Sequence, residues 1–202
     1  MTNPVRAVIF DLGNVLVGVD FPRLWERLSG VAEPGAGPER VTRDELMVRW
    51  CTGLVPPERF HREVCARAGV RMDYPGFVRW WCDVFRPMPE MEPLLREVAA
   101  AVPVGLPPDT DPLHWADQLA AHPHLGLVPR PTLSFRIGLM KPDPGCYRAA
   151  SEDVGVPPWA CLFVDDLERN VDGARAAGMQ AVRFTGAADL RRHLVERSVL
   201  RG

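Results

Sequence analysis

Two aspartates stand together at Asp165-Asp166, directly after the apolar run Cys161-Leu162-Phe163-Val164, and a third, Asp11, ends the mostly apolar run Val5-Arg6-Ala7-Val8-Ile9-Phe10. Open parallel sheets bind ligands beyond the carboxyl ends of their strands, so these acids are expected on one edge. Like charges this close repel, and a divalent cation is an economical way to hold them ionised. Oxygen-only ligands with room for water suit Mg²⁺. Of the 24 basic side chains only Lys141 is a lysine; the rest are arginines. A compact ammonium kept at one position points to a place where a guanidinium fork will not fit. A carboxylate beside Mg²⁺ and a lysine suits nucleophilic attack on a phosphoryl group, with the lysine neutralising charge as it develops.

The elements that position these groups follow from periodicity and punctuation. Residues 5–10 read as a buried parallel strand running into the turn Asp11-Leu12-Gly13-Asn14. From Asp20 to about Phe85 the pattern is helical, with no second strand inside it. Asp20 with Pro22 opens one helix to Ser29-Gly30, and residues 31–40 form a loop. The capping box Thr42-Arg43-Asp44-Glu45 opens a second helix to Thr52-Gly53. Pro56-Pro57 opens a third that closes at Gly69, and Asp73 with Pro75 a fourth containing Trp80 and Trp81. Beyond it, helices at 90–101, 111–121, 143–155, 170–177 and 188–197 alternate with strands at 102–106, 161–164 and 180–184 and a weak strand at 132–135. Pro103 costs the 102–106 strand a ladder hydrogen bond. Alternation of this kind implies a parallel α/β sheet.

Composition narrows the function classes. The 202 residues carry 47% hydrophobic and 25% charged side chains and a net charge of -2, the balance of a globular chain. Disordered, collagen-like and membrane classes are excluded, and a nucleic-acid partner would need a basic footprint. No apolar stretch approaches the roughly 18 residues of a membrane span. The run before Asp11 is too short for a signal peptide, so the expected location is cytoplasmic. The five cysteines are odd in number and lack a CxxC, which reads as free buried thiols in a reducing compartment. The five histidines lack metal-ligand spacing, and His114 reads as a surface or packing residue. Trp50, Trp80 and Trp81 read as core of the helical stretch. Arg136 lies where it could reach a phosphate.

Three segments in order resemble the haloacid dehalogenase (HAD) superfamily over nearly the whole chain. Phe10-Asp11-Leu12-Gly13-Asn14-Val15-Leu16-Val17 is similar to its first motif, and Lys141-Pro142-Asp143-Pro144 to its lysine motif. Phe163-Val164-Asp165-Asp166, followed by Glu168-Arg169-Asn170 and Ala174-Arg175-Ala176-Ala177-Gly178-Met179, is similar to its acidic motif. Within the superfamily the chain most resembles the α-D-glucose-1-phosphatase-like branch. The resemblance implies a HAD-like Rossmannoid α/β core at 1–19 and 86–202 with an all-helical cap at 20–85. It implies a Mg²⁺-dependent phosphatase acting on a small phosphorylated metabolite, such as a sugar phosphate, through an aspartyl-phosphate. Asp11 would be the nucleophile and Lys141 would bridge it to the phosphate. Asp11, Asp166 and the Gly13 carbonyl would hold Mg²⁺, Asp165 would support the metal shell, and Asn170 would orient it.

Two positions depart from the superfamily pattern. The usual acid/base Asp two residues after the nucleophile is Gly13, which cannot shuttle a proton; such transfer is worth roughly 10²–10⁴-fold. The hydroxyl residue at the end of the second strand aligns with Pro108, which has neither hydroxyl nor N–H. Thr110 is the replacement candidate, and Asp109 would bring negative charge toward a phosphate unless it points away. These departures keep open a catalytically impaired HAD-like binding or regulatory protein. Carbon–halogen hydrolysis is a third reading; it needs no metal, and the Asp165-Asp166 pair argues against it.

Overall fold

The computed structural model describes residues 3–26 and 45–202. Its centre is a four-stranded parallel sheet of β1 (Ala7–Phe10), β4 (Val104–Gly105), β5 (Cys161–Asp165) and β6 (Gln180–Arg183), in the order β4-β1-β5-β6. Every residue of β1 and β5 is buried, because helices cover both faces. Side chains alternate between those faces. Val8, Phe10, Leu162 and Val164 enter one cluster with Leu94, Leu95 and Val98 of α5 (Met91–Ala101) and Leu190 and Leu194 of α10 (Ala187–Glu196). Ala7, Ile9, Cys161 and Phe163 enter the opposite one with Tyr147 and Ala150 of α8 (Pro144–Val154) and Ala174 of α9 (Glu168–Ala176).

Four helices are inserted after the first sheet strand: α1 (Phe21–Glu26), α2 (Glu45–Cys51), α3 (Pro57–Ala68) and α4 (Tyr74–Cys82), counted among the described residues. Local signals set their ends. Pro56 precedes α3, and Gly69 closes it in the left-handed region at φ 64°. The Asp73 side chain accepts the Gly76 amide at the start of α4. The insertion has its own core of Leu24, Leu46, Trp50, Phe60, Val64, Phe77, Trp80 and Trp81. Trp50 stacks on Phe60 at 4.4 Å, and Phe60 meets Trp81 edge-on at 5.1 Å. The tryptophans are core residues, as expected. All five cysteines are free, with Cys82 half-buried and the others buried. No helix among the described residues is long and apolar enough to cross a membrane.

Four expectations are corrected. The insertion is bracketed by an antiparallel ribbon of β2 (Val17–Val19) and β3 (Phe85–Pro87); three-residue strands containing Gly18 and Pro87 leave no periodic signal. The strand expected at 102–106 shrinks to Val104–Gly105. Pro103, with no N–H, sits just outside it on the sheet edge, where its carbonyl accepts from the Val8 amide. Residues 132–135 are not a strand. The Thr132 amide donates once, to Leu106, and the chain then closes a single turn, α7 (Ser134–Ile137), ended by Gly138. The helix expected from Asn170 begins at Glu168. The expected loop 31–40 and residues 42–44 of the capping box lie outside the described residues, as does the end of the first helix.

Candidate functional site

Strand register brings the acids together. Phe10 pairs with Val164 across β1 and β5, and the Asp11 amide donates to the Val164 carbonyl at 2.8 Å. Asp11 therefore leaves the sheet beside Asp165, on a neighbouring strand about 4.8 Å away. Oxygens of Asp11, Asp165 and Asp166 all lie within 4.8 Å of one another. Lys141 enters the same space from the loop before α8. Its Nζ lies 2.5 Å from Asp11 Oδ1 and 3.0 Å from Asp165 Oδ2.

The two neighbouring carboxylates are bonded differently. Asp165 is fully buried and saturated: besides Lys141, its oxygens accept from Asn170 Nδ2 at 3.0 and 3.1 Å and from the Leu167 amide at 2.9 Å. Asp166 is half-buried and accepts from Asn14 Nδ2 at 3.4 Å. Asn14 adopts φ 54°, a conformation asparagine tolerates better than most residues. Its own carbonyl oxygen accepts the Val19 amide of β2. Asn14 thus joins the carboxylate cluster, although the sequence assigns it no role; its position after Gly13 in the turn is the available signal.

The β4 loop completes the edge. Asp109 turns its Oδ1 to the Lys141 backbone amide at 3.0 Å. Pro108 is buried, and its carbonyl accepts from the Ser134 amide. Thr110 is buried, with its amide donating to Ser134 Oγ and its carbonyl accepting from the Ser134 hydroxyl. Among the described residues no hydrogen bond joins the Thr110 hydroxyl to Asp11, Lys141, Asp165 or Asp166, so the site candidates are not all bonded together. Ser134 gives no sign in the sequence because its role depends on a loop 24 residues away. Gly13 bridges to Val17, and a Cβ there would meet Val19 Cγ2 at 3.2 Å. Arg136 is exposed, its guanidinium over the Phe135 ring.

Electrostatics follow from this packing. Burial pushes the Asp11 carboxyl up to about 7, with the Lys141 ammonium opposing and Asp165 reinforcing the rise. Burial would favour a neutral lysine, but Asp11, Asp109 and Asp165 outweigh it and hold Lys141 protonated above its ordinary range. Burial, then Asp165, raises Asp166 as well. The donor set fits a hard divalent cation: the carboxylates are crowded, one lysine does not neutralise them, and buried Asn170 Oδ1 has no hydrogen-bond partner among the described residues. Because Asp165 is saturated, Asp11 and Asp166 are the carboxylates free to approach it.

Known proteins resemble this chain in sequence and in fold. Residues 5–178 match the haloacid dehalogenase-like hydrolase family. Phosphatase MT3486 of Mycobacterium tuberculosis is 30% identical over 200 residues, covering 88% of this chain and 86% of that protein. A HAD family enzyme from Bacteroides thetaiotaomicron, solved with magnesium and inorganic phosphate, superposes with a TM-score of 0.79 at 22% identity. That match covers 89% of this chain and 93% of the other. A HAD-like family hydrolase from Porphyromonas gingivalis superposes with a TM-score of 0.81 at 20% identity, covering 95% and 98%. With an α/β parallel sheet, a helical insertion after the first sheet strand and the family match over most of its length, the chain belongs to the haloacid dehalogenase-like hydrolases.

Proposed function

We propose that this hydrolase is a Mg²⁺-dependent phosphatase of small phosphorylated metabolites, with sugar phosphates the first class to test. The observation that carries the reading is the buried Lys141 ammonium bonded to both Asp11 and Asp165, beside a third carboxylate, Asp166. Residues 1–19 and 86–202 form the core in this reading, and 20–85 the cap that selects the substrate.

Asp11 is the nucleophile. Its Oδ1 is held by Lys141, while Oδ2 has no hydrogen-bond partner among the described residues. Attack by an Asp11 oxygen on phosphorus forms the aspartyl-phosphate and breaks the ester P–O bond. The leaving oxygen takes its proton from water, since Gly13 offers none. A second water then attacks phosphorus, releasing phosphate and restoring the Asp11 carboxylate. Lys141 balances the charge shared by carboxylate and phosphoryl oxygens throughout. Asp11, Asp166 and the Gly13 carbonyl would hold Mg²⁺, which when bound supplies further neutralisation of the phosphoryl group. Asp165 acts through Lys141, which it orients, and Asn170 orients Asp165. Thr110 is the hydroxyl-bearing residue proposed for the phosphate side. Asp109 supports the reading by spending an oxygen on the Lys141 amide.

The test is phosphate release from a panel of phosphorylated metabolites, with and without Mg²⁺, for wild type and Asp11→Asn. Mg²⁺-dependent turnover that disappears in the variant is expected. No release from any compound would favour the alternative, a binding protein with little turnover. The observation favouring that alternative is Pro108, which presents no donor where the family places a hydroxyl.

A further inference from the structure

Asp111 and His114 lie outside the Asp11–Lys141 cluster, at the start of α6 (Pro112–Ala121), and both are buried. Asp111 Oδ1 accepts the Leu113 and His114 amides, each at 2.9 Å. Asp111 Oδ2 accepts from Trp81 Nε1 at 3.1 Å and lies 2.9 Å from His114 Nδ1. The other imidazole nitrogen, Nε2, faces the Trp81 carbonyl at 3.0 Å. A carbonyl only accepts, and so does an ionised carboxylate, so both imidazole nitrogens must carry hydrogen. The ring is then an imidazolium paired with Asp111. Burial favours the neutral ring, but Asp111 outweighs it and holds His114 above its ordinary range; burial would raise the Asp111 carboxyl, but His114 outweighs it and holds Asp111 below its ordinary range.

This pair joins the two parts of the molecule. Trp81 belongs to α4, the last inserted helix, and its ring lies flat on the His114 ring at 4.9 Å and 5°. Phe85 of β3 meets the same ring edge-on at 4.9 Å, and the Cys82 thiol lies 3.7 Å from the Leu113 carbonyl. Among the described residues, the charged groups acting on His114 include Asp111, which caps α6, and Asp117 on α6, and the thiols of Cys82 on α4 and Cys51 on α2 in turn face Asp111. Burial pushes the Cys82 thiol up to about 12, so it stays neutral. Asp111 is also two residues from Asp109, whose carboxylate holds the Lys141 amide.

We propose that Asp111 and His114 are positioning residues that latch the end of the cap onto the core through a buried imidazolium, so that seating of the cap depends on the proton His114 carries. The inference rests on the division into core and cap given above. Removing that proton leaves a lone pair facing either the Asp111 carboxylate or the Trp81 carbonyl. The stability contributed by the latch is complete below about pH 6.5, the ordinary histidine value, and is lost as pH rises through the higher folded value.

The test is made on the whole chain. Imidazole ¹⁵N NMR, with His114 assigned by its absence in His114→Gln, is followed from pH 6 to 9. Amide exchange in α4 is read beside it as protection relative to β5. Two protonated nitrogens at pH 7 are expected, with α4 protection falling at least about tenfold as the ring deprotonates and β5 protection unchanged. Trp81→Phe keeps the ring stack but removes the Nε1 donor, and should lower α4 protection at pH 7. If His114→Gln does not fold, the His114 ring is assigned instead by through-bond correlation to its own backbone amide, and Trp81→Phe and the wild-type titration still decide. On a substrate that turns over, KM should rise with the same transition more than kcat falls. A neutral His114 ring at pH 7, or α4 protection indifferent to its titration, would overturn the latch. NMR and exchange need no turnover, so an inactive protein would sink the phosphatase reading and leave the latch to be judged separately.

Discussion

Replacing Asp11 with Asn should abolish turnover and make the metal-free fold more stable. Asp11 is buried at the end of β1, and burial, opposed by Lys141 and reinforced by Asp165, raises its carboxyl from 3.8 to about 7. Between those values the unfolded chain has released a proton that the folded chain retains. The stability tied to this proton is complete below about pH 4, falls as pH rises toward 7, and is absent above. One pH unit of that interval corresponds to about 1.36 kcal/mol, so ionised Asp11 costs the metal-free fold up to about 4 kcal/mol. Asparagine does not ionise and still offers Lys141 an oxygen. In EDTA at pH 8 the variant should exceed wild type by about 2–4 kcal/mol, shrinking to about 1–2 kcal/mol at pH 5. Mg²⁺ at a hundred times its Kd should restore about 2.7 kcal/mol to wild type and less to the variant, which lacks one ligand. Urea unfolding followed by tryptophan fluorescence, at both pH values and in both buffers, reads all four quantities. A variant no more stable than wild type at pH 8 in EDTA would refute the account of Asp11 as a carboxyl destabilised by burial.

Three further substitutions probe the departures and the packing. Gly13→Asp, whose Cβ meets only Val19 Cγ2 at 3.2 Å, should speed alkyl phosphates more than aryl phosphates, within the roughly 10²–10⁴-fold worth of positioned proton transfer; a leaving-group series measures it. Pro108→Ser should tighten inhibition by inorganic phosphate by about tenfold, the worth of one hydrogen bond to a charged group, read from Ki at fixed Mg²⁺. Gly53→Ala should cost about 1–3 kcal/mol in urea unfolding, because Gly53 has φ 75° and an added Cβ would lie 2.3 Å from the Phe135 carbonyl oxygen.

The residues that cluster in the candidate site are largely legible in the amino-acid order alone, because their signals are local. An acid directly after a buried run marks a strand end, as at Asp11 and Asp165, and parallel strands present those ends on one edge. The single lysine among 24 basic residues stands out by count alone. Asp73 and Gly69 announce helix boundaries through capping chemistry that operates within four residues. The departures at Gly13 and Pro108 are equally visible, as they are questions of which atoms a side chain carries.

What the sequence could not decide were the partners of each group. Whether Asp165 or Asp166 is free depends on which atoms surround each, and only the fold surrounds Asp165 with Lys141, Asn170 and the Leu167 amide. His114 reads as an ordinary helix residue until α4 places the Trp81 carbonyl and ring against it. The β2–β3 ribbon and the single turn at Ser134–Ile137 likewise leave no sequence signal, since each is too short to carry a period. Residue type and local spacing determined what chemistry this chain has available. Tertiary structure decided which groups meet, because contacts such as Lys141 with Asp11, 130 residues apart, are created by strand register and loop closure, and no window of the sequence contains them.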